Sequence, residues 1–113
     1  MEPVFQVTLA GGGNLCHASI ATIGHMNPRF RINVLSTRPE AWTKEIKAYT
    51  KSSSWENKGD LIGKIHRVSK HAKDVIPGSH IVIICSPAQT KLQILIDIKD
   101  YLPEGCLLGS VFG

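Results

Sequence analysis

Val7-Thr8-Leu9-Ala10-Gly11-Gly12-Gly13-Asn14-Leu15-Cys16 decides the reading of this chain. Val4, Phe5, Val7 and Leu9 form a short apolar run that predicts a strand, and three glycines follow it. Beyond them the period changes. Cys16, Ile20 and Ile23 recur at i, i+4 and i+7, which predicts a helix over residues 15–26. Ala18, Ala21 and Thr22 are small enough to let that helix lie close to a sheet, and Asn27-Pro28 ends it. Gly11-Gly12-Gly13-Asn14-Leu15-Cys16 fits GxGxxG/A, except that Cys16 takes the last place. In that pattern the first glycine permits a tight turn, and the second lets a pyrophosphate pass backbone that carries no Cβ. Free N–H groups at the helix start, together with the positive dipole end, then receive the anion. Cys16 is little larger than alanine and still allows close packing. The order strand, glycine turn, helix, strand favours dinucleotide binding over a glycine-rich turn without chemistry.

Working outward, residues 31–36 (with Ile32, Val34 and Leu35) predict a second strand. Pro39 and Glu40 suit a first helical turn, and Trp42, Ile46 and Tyr49 recur at helical spacing, so a helix is expected over 40–50. Ser52-Ser53-Ser54 reads as a loop, and Asn57-Lys58-Gly59-Asp60 supplies turn chemistry between Trp55 and Leu61-Ile62, which predicts a β-hairpin. Ile65-His66-Arg67-Val68 alternates as a third strand, and Ala72 to Ile76 leaves room for about one helical turn. The unbroken run Ile81-Val82-Ile83-Ile84-Cys85 marks a strand buried on both faces, within 80–86. A helix over 88–102 carries Leu92, Leu95, Ile98 and Leu102 as its apolar stripe, with Ile94 and Tyr101 widening it. Pro103-Glu104-Gly105 stops it, and 106–112 predicts a fifth strand. This alternation implies an α/β chain: a Rossmann-like, doubly wound, mainly parallel sheet with helices on both faces.

Composition sets outer bounds. The 113 residues are 42% apolar and 19% charged, with a net charge of +4, which describes one globular domain that tolerates an anionic partner. Lys64, Arg67, Lys70 and Lys73 form a loose basic stretch without interleaved aromatics, so it reads as a solvated face, and no nucleic-acid partner is expected. The longest apolar run, Ile81 to Cys85, is too short to span a bilayer, so no membrane partner is expected. Met1-Glu2-Pro3 begins neither a basic n-region nor an apolar h-region, so no signal peptide is expected. Cys16, Cys85 and Cys106 lie far apart with no CxxC, which points to a reducing, cytoplasmic compartment. Cys85 and Cys106 sit in apolar runs and read as inert core residues. His25, His66, His71 and His80 show no ligand spacing, and no metal is expected. Neither a GxSxG elbow nor a phosphate-binding P-loop occurs.

The tip of the second strand bears on cofactor choice. An acid there would take ribose hydroxyls, whereas an arginine accommodates a 2′-phosphate. The chain reads Ser36-Thr37-Arg38-Pro39, with no acid. Arg38 is biased to extended backbone by Pro39 and favours NADP(H) over NAD(H), although an arginine also stacks on adenine or simply caps a loop. Ser86-Pro87-Ala88 follows the fourth strand, where it either flanks the nicotinamide ribose or forms a plain strand-to-helix turn. His17 reads either as a neutral hydrogen-bonding group near the cofactor or as a surface residue.

The run Val7 to Ala18, with its GGGN followed by His17, resembles the start of the octopine/nopaline (opine) dehydrogenases. Val34-Leu35-Ser36-Thr37-Arg38-Pro39-Glu40-Ala41-Trp42, Ile84-Cys85-Ser86-Pro87-Ala88 and Gly109-Ser110-Val111-Phe112-Gly113 are similar to later segments of the same domain. Cys16 departs from the family's usual Gly or Ala. The resemblance implies an NAD(P)-binding Rossmann domain over 1–113, the N-terminal part of a two-domain dehydrogenase. Such an enzyme reduces the imine of an amino acid and a 2-keto acid with NAD(P)H. Substrate and acid/base residues then belong to an absent helical C-terminal domain, so no catalytic residue is expected in 1–113 and the chain alone is expected to be inactive. Lys91 is the one titratable group expected near Ser86-Pro87-Ala88. A different two-domain dehydrogenase, acting on a hydroxy acid or polyol phosphate, is an alternative, as is a non-catalytic NADP(H) sensor. A domain cut from its partner should expose the broad apolar face of 88–102.

Overall fold

Adjacent residues Leu9 and Ala10, Val34 and Leu35, and Ile84 and Cys85 are all buried. Successive side chains of a strand point to opposite faces, so three strands with buried neighbours require cover on both sides. The computed structural model describes residues 5–11, 20, 23, 29–43, 45–48 and 61–110. Its main sheet has five parallel strands: β1 (Phe5–Gly11), β2 (Phe30–Leu35), β5 (Arg67–Ser69), β6 (Ile81–Cys85) and β7 (Leu107–Ser110). Their spatial order is β5-β2-β1-β6-β7. One face buries Leu9, Ile20, Ile32, Val34 and Cys85 in a single cluster. The other buries Ala10, Leu35, Val82 and Ile84 with α1 (Ala72–Val75) and α2 (Ala88–Ile98). Ile20 and Ile23 are helical and pack on the first face, so both faces carry helical residues. Cys16, the third member of that stripe, lies outside the described residues.

The second crossover differs from the expected helix over 40–50. Pro39–Ala41 make one 3-10 turn, after which Trp42 is extended and Glu45–Ala48 form β3. Strand β3 pairs antiparallel with β4 (Leu61–Lys64), with Glu45 opposite Lys64. Trp42 and Ile46 are four apart, and that spacing puts residues on one face of a helix and, being even, of a strand as well. Strand pairing decides the matter, and Ile46 packs with Ile65 and Trp42 on the first face. An antiparallel pair is therefore present, with Leu61 and Ile62 in its second strand, and Trp55, expected to precede the turn, lies outside the described residues. The expected turn at Asn57 to Asp60 lies outside the described residues.

Helix α2 also corrects the expected stripe. Ile94, Leu95 and Leu102 pack around buried Ile98, while Leu92 is 66% exposed. Ile96 is exposed as well, as are Leu107 and Leu108 of the edge strand β7.

Helix α1 has four residues, too few to hold itself. Polar side chains beneath it supply the anchor. The Val75 carbonyl accepts from Thr8 Oγ1 at 3.0 Å, Gln6 Nε2 at 3.2 Å and Asn33 Nδ2 at 3.3 Å. Thr8 and Ser79 hydroxyls lie 2.6 Å apart and share a further bond. Thr8→Val keeps the shape and removes these bonds from a fully buried site. It should lower unfolding free energy by about 1–2 kcal/mol in urea denaturation, and an unchanged midpoint would show that the network contributes nothing.

Candidate functional site

All five strands of the main sheet run the same way, so their C-terminal ends share one edge. The chain steps from β1 outward through β2 to β5, then returns to the other side of β1 as β6 and β7. Connections therefore leave β1 and its neighbours in opposite directions and open a crevice at that edge. A cavity of about 1090 Å³ occupies it, lined by Gly11, Ser36, Thr37, Arg38, Ser86 and Pro87 among others. Six of the residues singled out in the sequence thus meet at one place. Ala88 begins α2, is exposed and does not line the cavity, nor does Lys91. Gly12, Gly13, Asn14, Leu15, Cys16 and His17 lie outside the described residues.

Gly11 closes β1 with φ +131°, a conformation that side chains rarely adopt. A Cβ placed there would overlap the Cys85 carbonyl oxygen and lie 3.0 Å from the Cys85 carbonyl carbon. The end of β1 thus passes against the end of β6 only because no side chain intervenes. Across the crevice, Ser36 holds the β2 loop. Its buried Oγ accepts the Arg38 N–H at 3.1 Å and the Trp42 indole N–H at 3.0 Å. These bonds fix the backbone from which the exposed Arg38 side chain reaches the cavity.

Lys70, His71 and Lys73 line the same cavity. In the sequence Lys70 and Lys73 read as part of a solvated face and His71 as a histidine without ligand spacing, whereas the parallel pairing of β5 with β2 sets the segment from Lys70 into α1 beside the Arg38 loop. Helix α2 contributes Thr90, Gln93, Ile94 and Asp97, and Tyr101 joins them from the turn that follows it. Thr90, Gln93 and Asp97 recur at i, i+3 and i+7, a polar stripe that the apolar periodicity had masked. Asp97 Oδ1 accepts the Gln93 amide at 2.9 Å. Among the described lining residues, Arg38, Lys70 and Lys73 outnumber the single carboxylate, so the cavity favours an anion.

Comparison with solved structures places the architecture. A structure of octopine dehydrogenase with NADH and L-arginine matches 95% of this chain at a TM-score of 0.82 and 17% identity. The fold is Rossmann-like. The chain spans 28% of the length of that octopine dehydrogenase. A 2-dehydropantoate 2-reductase from Porphyromonas gingivalis W83 matches at a TM-score of 0.66 and 10% identity, with 95% of this chain and 37% of the reductase covered. A ketopantoate reductase from Staphylococcus aureus matches at 0.58 and 13% identity, over 95% of this chain and 33% of that one. No family model and no curated protein sequence matches the chain. Among the described residues, no helix is long and apolar enough to cross a membrane, and no group of His, Cys, Asp and Glu could hold a metal ion.

Gly11→Ala combines the backbone penalty with the overlap at Cys85. It should cost more than Gly105→Ala, where φ is +81° and nothing lies within 4 Å of the new Cβ. Chemical denaturation should give about 1 kcal/mol for Gly105→Ala and at least about 2 kcal/mol for Gly11→Ala. Equal losses would mean that the close approach of β1 to Cys85 carries no cost.

Proposed function

We propose that the chain is the dinucleotide-binding domain of an opine-dehydrogenase-like oxidoreductase, with NADP(H) preferred over NAD(H). The observation that carries this reading is the cationic cavity at the sheet's switch point, entered over a glycine that admits no Cβ. The residues present fit such a cofactor. Gly11 leaves the backbone bare at the crevice, and no acid stands at the tip of β2 to repel a 2′-phosphate. Arg38 supplies a bidentate donor there, and Lys70 after β5 and Lys73 on α1 supply point charges. The Ser36 hydroxyl accepts two N–H bonds at the cavity wall, and its O–H donates to the ligand. Ser86 and Pro87, at the end of β6, flank the nicotinamide ribose. Gly12 to Cys16 receive the pyrophosphate, as their spacing implies.

When bound, the cofactor supplies a hydride to the imine formed from an amino acid and a 2-keto acid. The chain's own residues hold and orient it. Holding cofactor equally in ground and transition states does not lower the chemical barrier. Recognition of the amino acid and keto acid, and proton transfer, are assigned to a further helical domain of a two-domain dehydrogenase. The likeness to octopine dehydrogenase, stronger than that to the 2-dehydropantoate reductases, supports the imine over a hydroxy acid as the substrate class.

Titration monitored by cofactor fluorescence tests the binding. Arg38→Ala and Lys70→Ala should weaken NADPH more than NADH, with Arg38→Ala losing on the order of 1.5–3 kcal/mol for NADPH. Gly13→Val should abolish both. Equal losses for the two cofactors would remove the NADP(H) preference, and undiminished binding by Gly13→Val would reduce the glycines to a turn. Residues 1–113 with arginine, pyruvate and NADPH should give no turnover. NADPH oxidation that needs both substrates would place the active site within these residues.

A further inference from the structure

The opposite edge of the sheet carries a second concentration of positive charge. Arg29 and Arg31 at the start of β2, Lys64 at the end of β4, and His66 in the turn before β5 line a groove of about 300 Å³. Phe30 adds an aromatic wall. We propose that this groove binds a phosphate group, free or as a monoester, at a site separate from the dinucleotide cavity. The cations come from two strands and a turn, and the backbone bond from His66 N–H to the Ile32 carbonyl, 2.7 Å long, ties that turn to β2. Their arrangement is therefore set by the fold and is not left to a mobile loop. No carboxylate lines the groove among the described residues. Glu45, opposite Lys64 in the β3–β4 ladder, stands outside the lining, and Arg67 directs a guanidinium N–H to the Asp74 carbonyl at 3.1 Å.

Like charges held together repel, and the imidazole registers it. His66 is held below its ordinary value by burial first, then by the charges of Arg31 and Arg67. A dianion seated among these groups relieves the repulsion and returns the imidazolium to favour. Arg31, Lys64 and a protonatable imidazole suit a tetrahedral oxyanion of double charge better than a single carboxylate. The separation is structural: the groove lies where β2 begins, and the dinucleotide cavity lies where β2 ends.

The test follows the His66 ring by NMR pH titration of the 113-residue chain, with sodium chloride as the ionic-strength control. Inorganic phosphate forms one arm and phenyl phosphate the other. Saturable binding should raise the His66 midpoint by about one unit relative to chloride. A response to both ligands identifies a free-phosphate site, and a response to phenyl phosphate alone identifies a monoester site that uses Phe30. Arg31→Gln and Lys64→Gln should each abolish the phosphate-dependent rise, whereas Arg38→Ala, at the other edge, should leave it intact. No rise beyond chloride in either arm would overturn the proposal. So would a rise that survives both groove variants or is lost with Arg38→Ala.

Discussion

The close pass of β1 against β6 is the constraint on which the rest depends. At Gly11, the last residue of β1, the backbone takes a positive φ directly against the Cys85 carbonyl, and no side chain fits between them. That contact lets β1 serve two neighbours in register, β2 on one side and β6 on the other. It also leaves bare backbone at the mouth of the crevice. The same absence of a Cβ that seats the strands therefore clears the approach for a large anion. Both faces of the three central strands are buried, mostly under Val, Leu and Ile, with Thr8 and Asn33 hydrogen-bonded beneath α1.

Charge divides the two sheet edges from the core. β1 and β6 carry none and β2 carries only Arg31, next to its start, and the cations gather where strands end. At the C-terminal edge Arg38 after β2, Lys70 after β5 and Lys73 on α1 are brought together by the parallel pairing of β5 with β2. At the N-terminal edge Arg31 near the start of β2, Lys64 at the end of β4 and His66 in the turn before β5 converge on one groove. A net charge of +4 is too small to steer by itself, but clustering it in two concave places produces strong local fields.

Much of this was legible in the sequence because period and punctuation agreed. The apolar run at Ile81 to Cys85, the glycines after Leu9 and the proline after Ser86 each marked an element that the structure contains. The second crossover was not legible. Trp42 and Ile46 satisfy helical and strand periods alike, and only pairing with β4, fifteen residues or more away in sequence, selects the strand. Lys70 and Lys73 looked like solvent-facing charges because their partner Arg38 is distant in the chain, and the β5–β2 pairing that unites them is a tertiary fact. The stripe on α2 was misread at Leu92 because Ile94 and Leu95 offer an equally apolar face one step round the helix.

The account stands most directly on where a dinucleotide binds. Backbone amide shifts of the 113-residue chain, followed by NMR as NADPH is added, locate that place without assuming any activity. The account predicts saturable changes at Gly11, Ser36, Arg38, Lys70 and Ser86, at concentrations that leave Arg31, Lys64 and His66 unmoved. Changes confined to the latter three residues, or no saturable change at the C-terminal edge of the sheet, would contradict it.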